Sequence, residues 1–326
     1  MSDKPPHVVV LAGGFGGARM AHGFALLGDA VALSVVVNTA DDLELHGLAI
    51  SPDLDTVMYT LAGLANRATG WGVKDETWSA AAMLERYGQP TWFRLGDRDL
   101  ATHIARTAML RHGATLTDTT ATLSAALGIR GQLLPMTDDA VRTKLRTDAG
   151  WVDFQDYFVR QRHAADVLEV RFDGAESARP GGTVLAAIAG ADLIVIAPSN
   201  PFVSVAPILS VPGMQPALMA TPAPVVAVSP IVGGAALRGP ADAMLRSLTG
   251  ETGAAGVARH YARAYPGLID TFVLDTSDAP SAPGVEAAGM RALTTGTVLA
   301  DDDDRQRLAA ELLGLADPGG GPTGAG

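Results

Sequence analysis

Between an apolar run, His7–Ala12, and a helical pattern, Ala18–Leu27, the chain sets five residues of which four are glycine: Gly13-Gly14-Phe15-Gly16-Gly17. A strand that runs straight into a helix through glycines restricts the fold sharply. It is the junction of a β-α-β unit, and the carboxyl end of such a strand is where open α/β sheets bind ligands. Glycines let the backbone approach a phosphate closely, and the helix N-terminus that follows favours negative charge. A tight turn that merely packs helix on strand is the plain alternative, but four glycines in five exceed what a turn needs. The dinucleotide fingerprint G-x-G-x-x-G is incomplete: Gly14 and Gly16 supply two positions and Arg19 occupies the third. The second strand ends in Asn38, where a ribose diol would want an acid. The loop therefore reads as a phosphate or nucleotide loop and a poor NAD site, with Gly13, Gly14, Gly16 and Gly17 as candidate nucleotide contacts.

The rest of the chain continues the rhythm. Val31–Val37, Thr91–Leu95, Asp192–Ala197, Pro224–Ser229 and Asp270–Asp275 read as further strands, most of them unbroken apolar runs, as in a parallel sheet buried on both faces. Helical patterns at Pro52–Leu64, Leu100–His112 and Pro180–Ala189 lie between them. The fold class that follows is α/β, Rossmann-like and doubly wound with a mostly parallel sheet. From about Ile129 to Gly174 the rhythm breaks into short strands, Gln132–Met136, Val141–Thr147, Trp151–Phe154 and Val167–Phe172, with a helical Gln155–Arg162 among them. The expected organisation is a nucleotide- and acceptor-binding part at 1–128, an α+β insertion or lid at 129–174, the remainder of the α/β domain at 175–316, and a disordered Gly/Pro-rich tail, Asp317–Gly326.

Bulk properties narrow the function. The 326 residues are 48% hydrophobic and 18% charged, enough apolar material for a large core. Cysteine is absent, which removes disulfides, thiolate metal sites and a cysteine nucleophile. The net charge is −11 without a basic stripe, so nucleic acid is not an expected partner. No stretch reaches the ~18 apolar residues of a spanning helix, and the N-terminal run is too short for a signal peptide, so the expectation is a soluble, cytoplasmic protein without a membrane partner.

Three clusters at strand ends carry the chemistry. Asn38-Thr39-Ala40-Asp41-Asp42 and Ser51-Pro52-Asp53-Leu54-Asp55 follow the second strand. Asp41, Asp42 and Asp55 can converge on one hard cation, since carboxylates with phosphate oxygens and waters are how Mg²⁺ is usually held. Asp53 reads as an acid in the first helical turn, stabilising the dipole, and Ser51 as a plain N-cap. The Gly96-Asp97-Arg98-Asp99 turn leads into a helix holding Thr102 and His103; Arg98 is a candidate clamp for an anionic or planar polar group, with a surface pair to Asp97 or Asp99 as its plain alternative. Pro198-Ser199-Asn200-Pro201, followed by Ser204, fixes a turn that suits a base or phosphate, and Ser229-Pro230-Ile231-Val232-Gly233-Gly234 ends the next strand similarly. No zinc or serine-hydrolase spacing is present.

Together, NTADDLELHG, ISPDLDTVMYTLAG, LGDRDLATH, LLPMTDD, FQDYFVR, APSNPFVSVAPILSVPGM and VAVSPIVGG resemble the 2-phospho-L-lactate transferase family of coenzyme F420 biosynthesis, in order and over nearly the whole chain to about Tyr265. The resemblance implies a Rossmann-like, magnesium-dependent, usually dimeric enzyme. Such enzymes transfer a phospho-organic-acid unit from its guanosine diphosphate conjugate to the ribityl hydroxyl of 7,8-didemethyl-8-hydroxy-5-deazariboflavin (Fo), releasing GMP and forming F420-0 or its dehydro form. It places Asp41 and Asp55 at the metal and reacting phosphates, with Asp42 a further metal candidate. It associates Asp55 and Arg98 with the deazaflavin, Thr102 and His103 beside them, and the glycine loop with Ser199, Asn200 and Ser204 on the guanosine side. The NTADD block leans towards the phospholactate pattern rather than the NIGDD or NVGDD of phosphoenolpyruvate-type members. The competing functions are a nucleotide-sugar or dinucleotide-binding regulatory protein of the same fold, without turnover, and an NAD(P)-dependent oxidoreductase, against which Arg19 and Asn38 count.

Overall fold

The computed structural model describes residues 4–316; the Asp317–Gly326 tail lies outside the described residues. Seven parallel strands form the central sheet: β1 His7–Ala12, β2 Ala32–Val37, β3 Gln132–Pro135, β4 Leu193–Ile196, β5 Val225–Val228, β6 Thr271–Asp275 and β7 Arg291–Thr295. Their spatial order is β7-β6-β5-β4-β1-β2-β3. The chain builds outward from β1 to β3, returns, and builds outward again from β4 on the other flank. This is the doubly wound Rossmann-like arrangement, and its order reverses between β1 and β4.

Alternate side chains of β1 enter different cores. Val8, Val10 and Ala12 join one cluster, with Met20, Phe24, Val57, Met58, Leu308 and Leu312 of three covering helices. Val9 and Leu11 join the other, with Ile188, Leu218, Leu245, Val257 and Tyr261. Period-two side-chain alternation thus buries an all-apolar strand on both faces. The first covering face includes α1 Gly14–Ala25, α2 Pro52–Leu61 and the helix Asp302–Leu313.

Two expected strands differ. Thr91–Leu95 is irregular and leads into α3, Asp97–Arg111. Gln132–Pro135 pairs with β2 as the edge of the main sheet, so the insertion gives its first strand to the central layer. The rest of that segment folds as a three-stranded antiparallel sheet of Arg142–Thr147, Gly150–Asp153 and Glu169–Asp173, with a π turn at Asp156–Arg160. Among the described residues no single helix is long and apolar enough to cross a membrane.

A candidate ligand site at the switch point

At the β1/β4 reversal the glycine loop meets the turn after β4. Ser199 Oγ donates to the Gly13 carbonyl at 2.8 Å, and the Gly13 N–H points back to Ser199 Oγ at 3.4 Å. The approach is so close that a Cβ on Gly16 would lie 2.0 Å from the Pro198 carbonyl oxygen, and one on Gly13 would lie 2.5 Å from Ser204 Cβ. These glycines are needed for contact between the two loops as well as for any ligand. A cavity of about 650 Å³ opens there, lined by Gly13, Gly14, Gly16, Ser199, Asn200 and Ser204. Gly17 is not part of the lining; it packs behind, against Ala12 and Ser199. Asn200 accepts the Phe202 N–H at 2.9 Å, which pins the turn.

The acids form one wall. Asn38, buried at the end of β2, donates its amide to Asp41 Oδ2 and Asp53 Oδ2, each at 3.0 Å, so two carboxylates share one donor. Neither meets an arginine or lysine among the described ion pairs. Burial, reinforced by Asp53, holds Asp41 well above the usual carboxylate range. Burial likewise pushes Asp53 up to about 6, against hydrogen bonds from Asn38 and the Gly14 backbone. Asp53 is therefore more than an acid stabilising a helix start: it is in the first turn of α2 and faces the cavity. Ser51 occupies the expected N-cap position, but its hydroxyl makes no capping bond and donates instead to Asp42 Oδ2 at 2.8 Å. Asp42 lies behind the cavity lining, and burial raises it to about 7.

Asp55 is set differently. The buried Arg106 of α3 grips it with a two-point fork, Nη1 to Oδ2 at 3.1 Å and Nη2 to Oδ1. Burial opposes the guanidinium charge, but the Asp55 carboxylate prevails and raises its pKa. His103 lies between two acids, Nδ1 3.6 Å from Asp55 and Nε2 3.3 Å from Asp99. Asp99 accepts the Tyr59 hydroxyl at 2.8 Å. Asp55, Asp99 and His103 offer ligand atoms within 4.8 Å of one another, a grouping compatible with a divalent metal. Thr102 stands outside the lining and supports the Tyr59 hydroxyl.

Arg98 is not brought into the cavity. It is exposed, its Nη1 donates to the Lys74 carbonyl at 3.1 Å, and it pairs with neither Asp97 nor Asp99. The reason is helical geometry: the α3 residues facing the cavity are Asp99 and His103, four apart, and Arg98 falls on another side. Asp97 instead accepts the Ser79 and Ala80 N–H groups at 3.1 and 3.0 Å, holding the start of the preceding helix, Ser79–Arg86. From the sequence, Asp53 reads as a helix-start acid and Asp99 as a surface partner of Arg98, and nothing singles out Arg106. The i, i+3 spacing of His103 and Arg106 and the i, i+4 spacing of Asp99 and His103 were the available signals.

Aromatic residues make the rim. Trp92 and Phe93 contribute from the irregular segment before α3. Phe154 and Phe158 contribute from the insertion, stacked with centroids 5.4 Å apart. Gln155 ties the insertion to the acid wall by donating to the Asp41 carbonyl at 3.0 Å.

A doubly wound sheet whose switch point opens into a glycine-lined, carboxylate-walled cleft defines an α/β protein of the nucleotide-site architecture. The sequence profile described as 2-phospho-L-lactate transferase CofD matches residues 8–310, and the chain belongs to that transferase family. It is 45% identical over 316 residues to the phosphoenolpyruvate transferase of Kitasatospora aureofaciens, spanning 95% of this chain and 98% of that one. It is 43% identical over 309 residues to the phosphoenolpyruvate transferase of Mycobacterium tuberculosis, spanning 88% and 93%. Among solved structures, the UPF0052-family protein BH3568 of Bacillus halodurans superposes with a TM-score of 0.68 at 18% identity, covering 96% of this chain and 100% of that one, which shows a shared fold.

Proposed function

We propose that this protein transfers a phosphoenolpyruvyl unit from its guanosine diphosphate conjugate to the ribityl hydroxyl of Fo, releasing GMP and forming the dehydro form of F420-0. The observation that carries the reading is the convergence, in one cavity, of the glycine loop and Ser199 turn with a buried wall of carboxylates and an aromatic rim. Amides of the glycine loop and α1 N-terminus bind the nucleotide phosphates. Ser199, Asn200 and Ser204 bound the guanosine side. The aromatic rim accepts a planar ring system such as a deazaflavin.

The ribityl oxygen attacks the phosphorus that bears the organic acid. The bond from that phosphorus to the GMP oxygen breaks, and GMP departs in line. The hydroxyl proton passes to a cavity carboxylate, for which we assign Asp55, held in a fixed orientation by Arg106. The donor set suits a hard cation: Asp41 and Asp53 are two oxygen ligands crowded at one amide without a cationic partner. Asp41 and Asp53 are the residues we assign to Mg²⁺, with Asp42 behind them; Asp55, both of whose oxygens Arg106 engages, stands apart with Asp99 and His103. A Mg²⁺ ion held by these residues would supply positive charge against the diphosphate and the departing GMP. Arg98, exposed on α3, keeps at most an outer role towards the acceptor.

Phosphoenolpyruvate as the acid is supported by the relatives at 43–45% identity, against the lean of the NTADD block towards phospholactate. Mass spectrometry of products formed from Fo with each guanylylated donor decides between the two. No GMP release from either donor, in protein that binds both, would favour the regulatory reading. Chelation is expected to abolish turnover and Mg²⁺ to restore it. Turnover undiminished in Asp55→Asn would remove Asp55 from its role. The assembly that accompanies this reading is a cytoplasmic homodimer, checked by light scattering.

A further inference from the structure

The cavity has a second wall, of opposite sign. Arg19, one turn into α1, and Arg238, just past the short strand Ala235–Ala236, both line it. Their guanidinium carbons lie 3.9 and 4.2 Å from the centroid of the Phe15 ring. Each is steadied by a backbone carbonyl: Arg19 Nη1 donates to Leu299 at 2.8 Å, and Arg238 Nη1 to Thr69 at 2.7 Å. Neither forms an ion pair among the described residues, and the buried Nε of Arg19 has no hydrogen-bond partner. The nearby Asp302 is already taken, by Arg67 at 2.8 Å and Arg305 at 2.9 Å. Burial, with Arg305, Arg238 and Arg67 adding repulsion, lowers Arg19 to about 10. The 69–72 loop passes against the pair so tightly that a Cβ on Gly70, at φ +78°, would lie 2.1 Å from Arg238 Nη1 and 2.7 Å from Phe15.

Two guanidinium groups with unused donors, fixed by a ring and two carbonyls and lacking counter-charge, are prepared for an anion. We propose that Arg19, Phe15 and Arg238 form an oxyanion subsite of the cavity, separate from the acidic wall. Its ligand is a carboxylate or phosphate oxyanion. The two sources are the carboxylate of the transferred phospho-acid and a phosphate of the guanine nucleotide. The choice of those sources rests on the transferase reading above; the existence of the subsite does not.

The test is calorimetric titration of wild type, Arg238→Gln and Gly70→Ala in magnesium-free buffer with three probes: pyrophosphate, GDP, and the guanosine diphosphate conjugate of 2-phospholactate. Arg238 is exposed, so its substitution is expected to leave the fold and melting temperature unchanged. Loss of a charge-assisted contact is expected to weaken pyrophosphate binding roughly tenfold or more. If GDP and the conjugate weaken equally, the oxyanion is a nucleotide phosphate; if only the conjugate weakens, it is the acid's carboxylate. Wild type that binds pyrophosphate in an Arg238-dependent way but ignores both nucleotides, in a parallel titration with Mg²⁺ as well as without it, would refute the transferase reading and leave the subsite standing. Wild type that fails to bind pyrophosphate, or both variants binding all probes within about twofold of wild type, overturns the subsite.

Discussion

Arg106 shows how much of this site depends on one unadvertised side chain. It is 1% exposed and holds Asp55 from the neighbouring helix. Removing one partner of a buried pair leaves the other charge uncompensated, so Arg106→Gln is expected to lower stability by about 3–5 kcal/mol, with Arg106→Lys in between because an ammonium cannot fork. Adding Asp55→Asn to Arg106→Gln should restore most of the melting temperature but not turnover; unchanged melting in the single variant would show that the pair is not formed. Asp53 makes a pH prediction. In the unfolded chain it ionises near 3.8, and in the fold near 6, so between those values the unfolded chain has released a proton that the folded one keeps. Its contribution therefore turns against folding as pH rises through that window. His22, His163 and His260, whose pKa values desolvation lowers, act in the other direction. The clean measurement is thus the difference in melting between Asp53→Asn and metal-free wild type. It should grow in favour of the variant from pH 4.5 to 7.5, and a flat difference would mean Asp53 is not held in this environment. Asp41 and Asp55 were legible in the sequence because acids after a parallel strand point to a ligand edge. Asp53 was not, since its place in the first helical turn already had a sufficient explanation.

At the level of elements, the junction of the β1 and β4 loops is the stiffest constraint. Gly16→Ala would drive a methyl group into the Pro198 carbonyl. Backbone cannot move aside cheaply, so a loss of roughly 1–3 kcal/mol and of more than an order of magnitude in turnover is expected, readable by denaturant melts and steady-state kinetics. The insertion predicts a different pattern. Phe158 is 37% exposed at the cavity rim, so Phe158→Ala should leave the melting temperature nearly unchanged while raising the KM for Fo several-fold; an unaltered KM would place the acceptor elsewhere. The sequence revealed strands buried on both faces and lost the others. β7, with an exposed first residue and no fully buried one, has no continuous apolar run to read. Thr91–Leu95 misled in the other direction, because a half-buried aromatic rim uses the residues that strands favour.

For the molecule as a whole, the order of strands places the glycine loop and the Ser199 turn side by side, and this much followed from the alternation of elements. What no local pattern announces is that the cavity's cationic wall joins residues from opposite ends of the chain. Arg19 takes its position from a carbonyl at Leu299, and α1 is covered by the Asp302–Leu313 helix. This long closure has a consequence during synthesis. The glycine loop and the acids leave the ribosome close together, but the atom that sets Arg19 follows it by 280 residues, after β7. A growing chain therefore carries the acid half of its cleft without the basic half fixed. Any hold on an anion that depends on the Arg19 wall is absent until Leu299 is made.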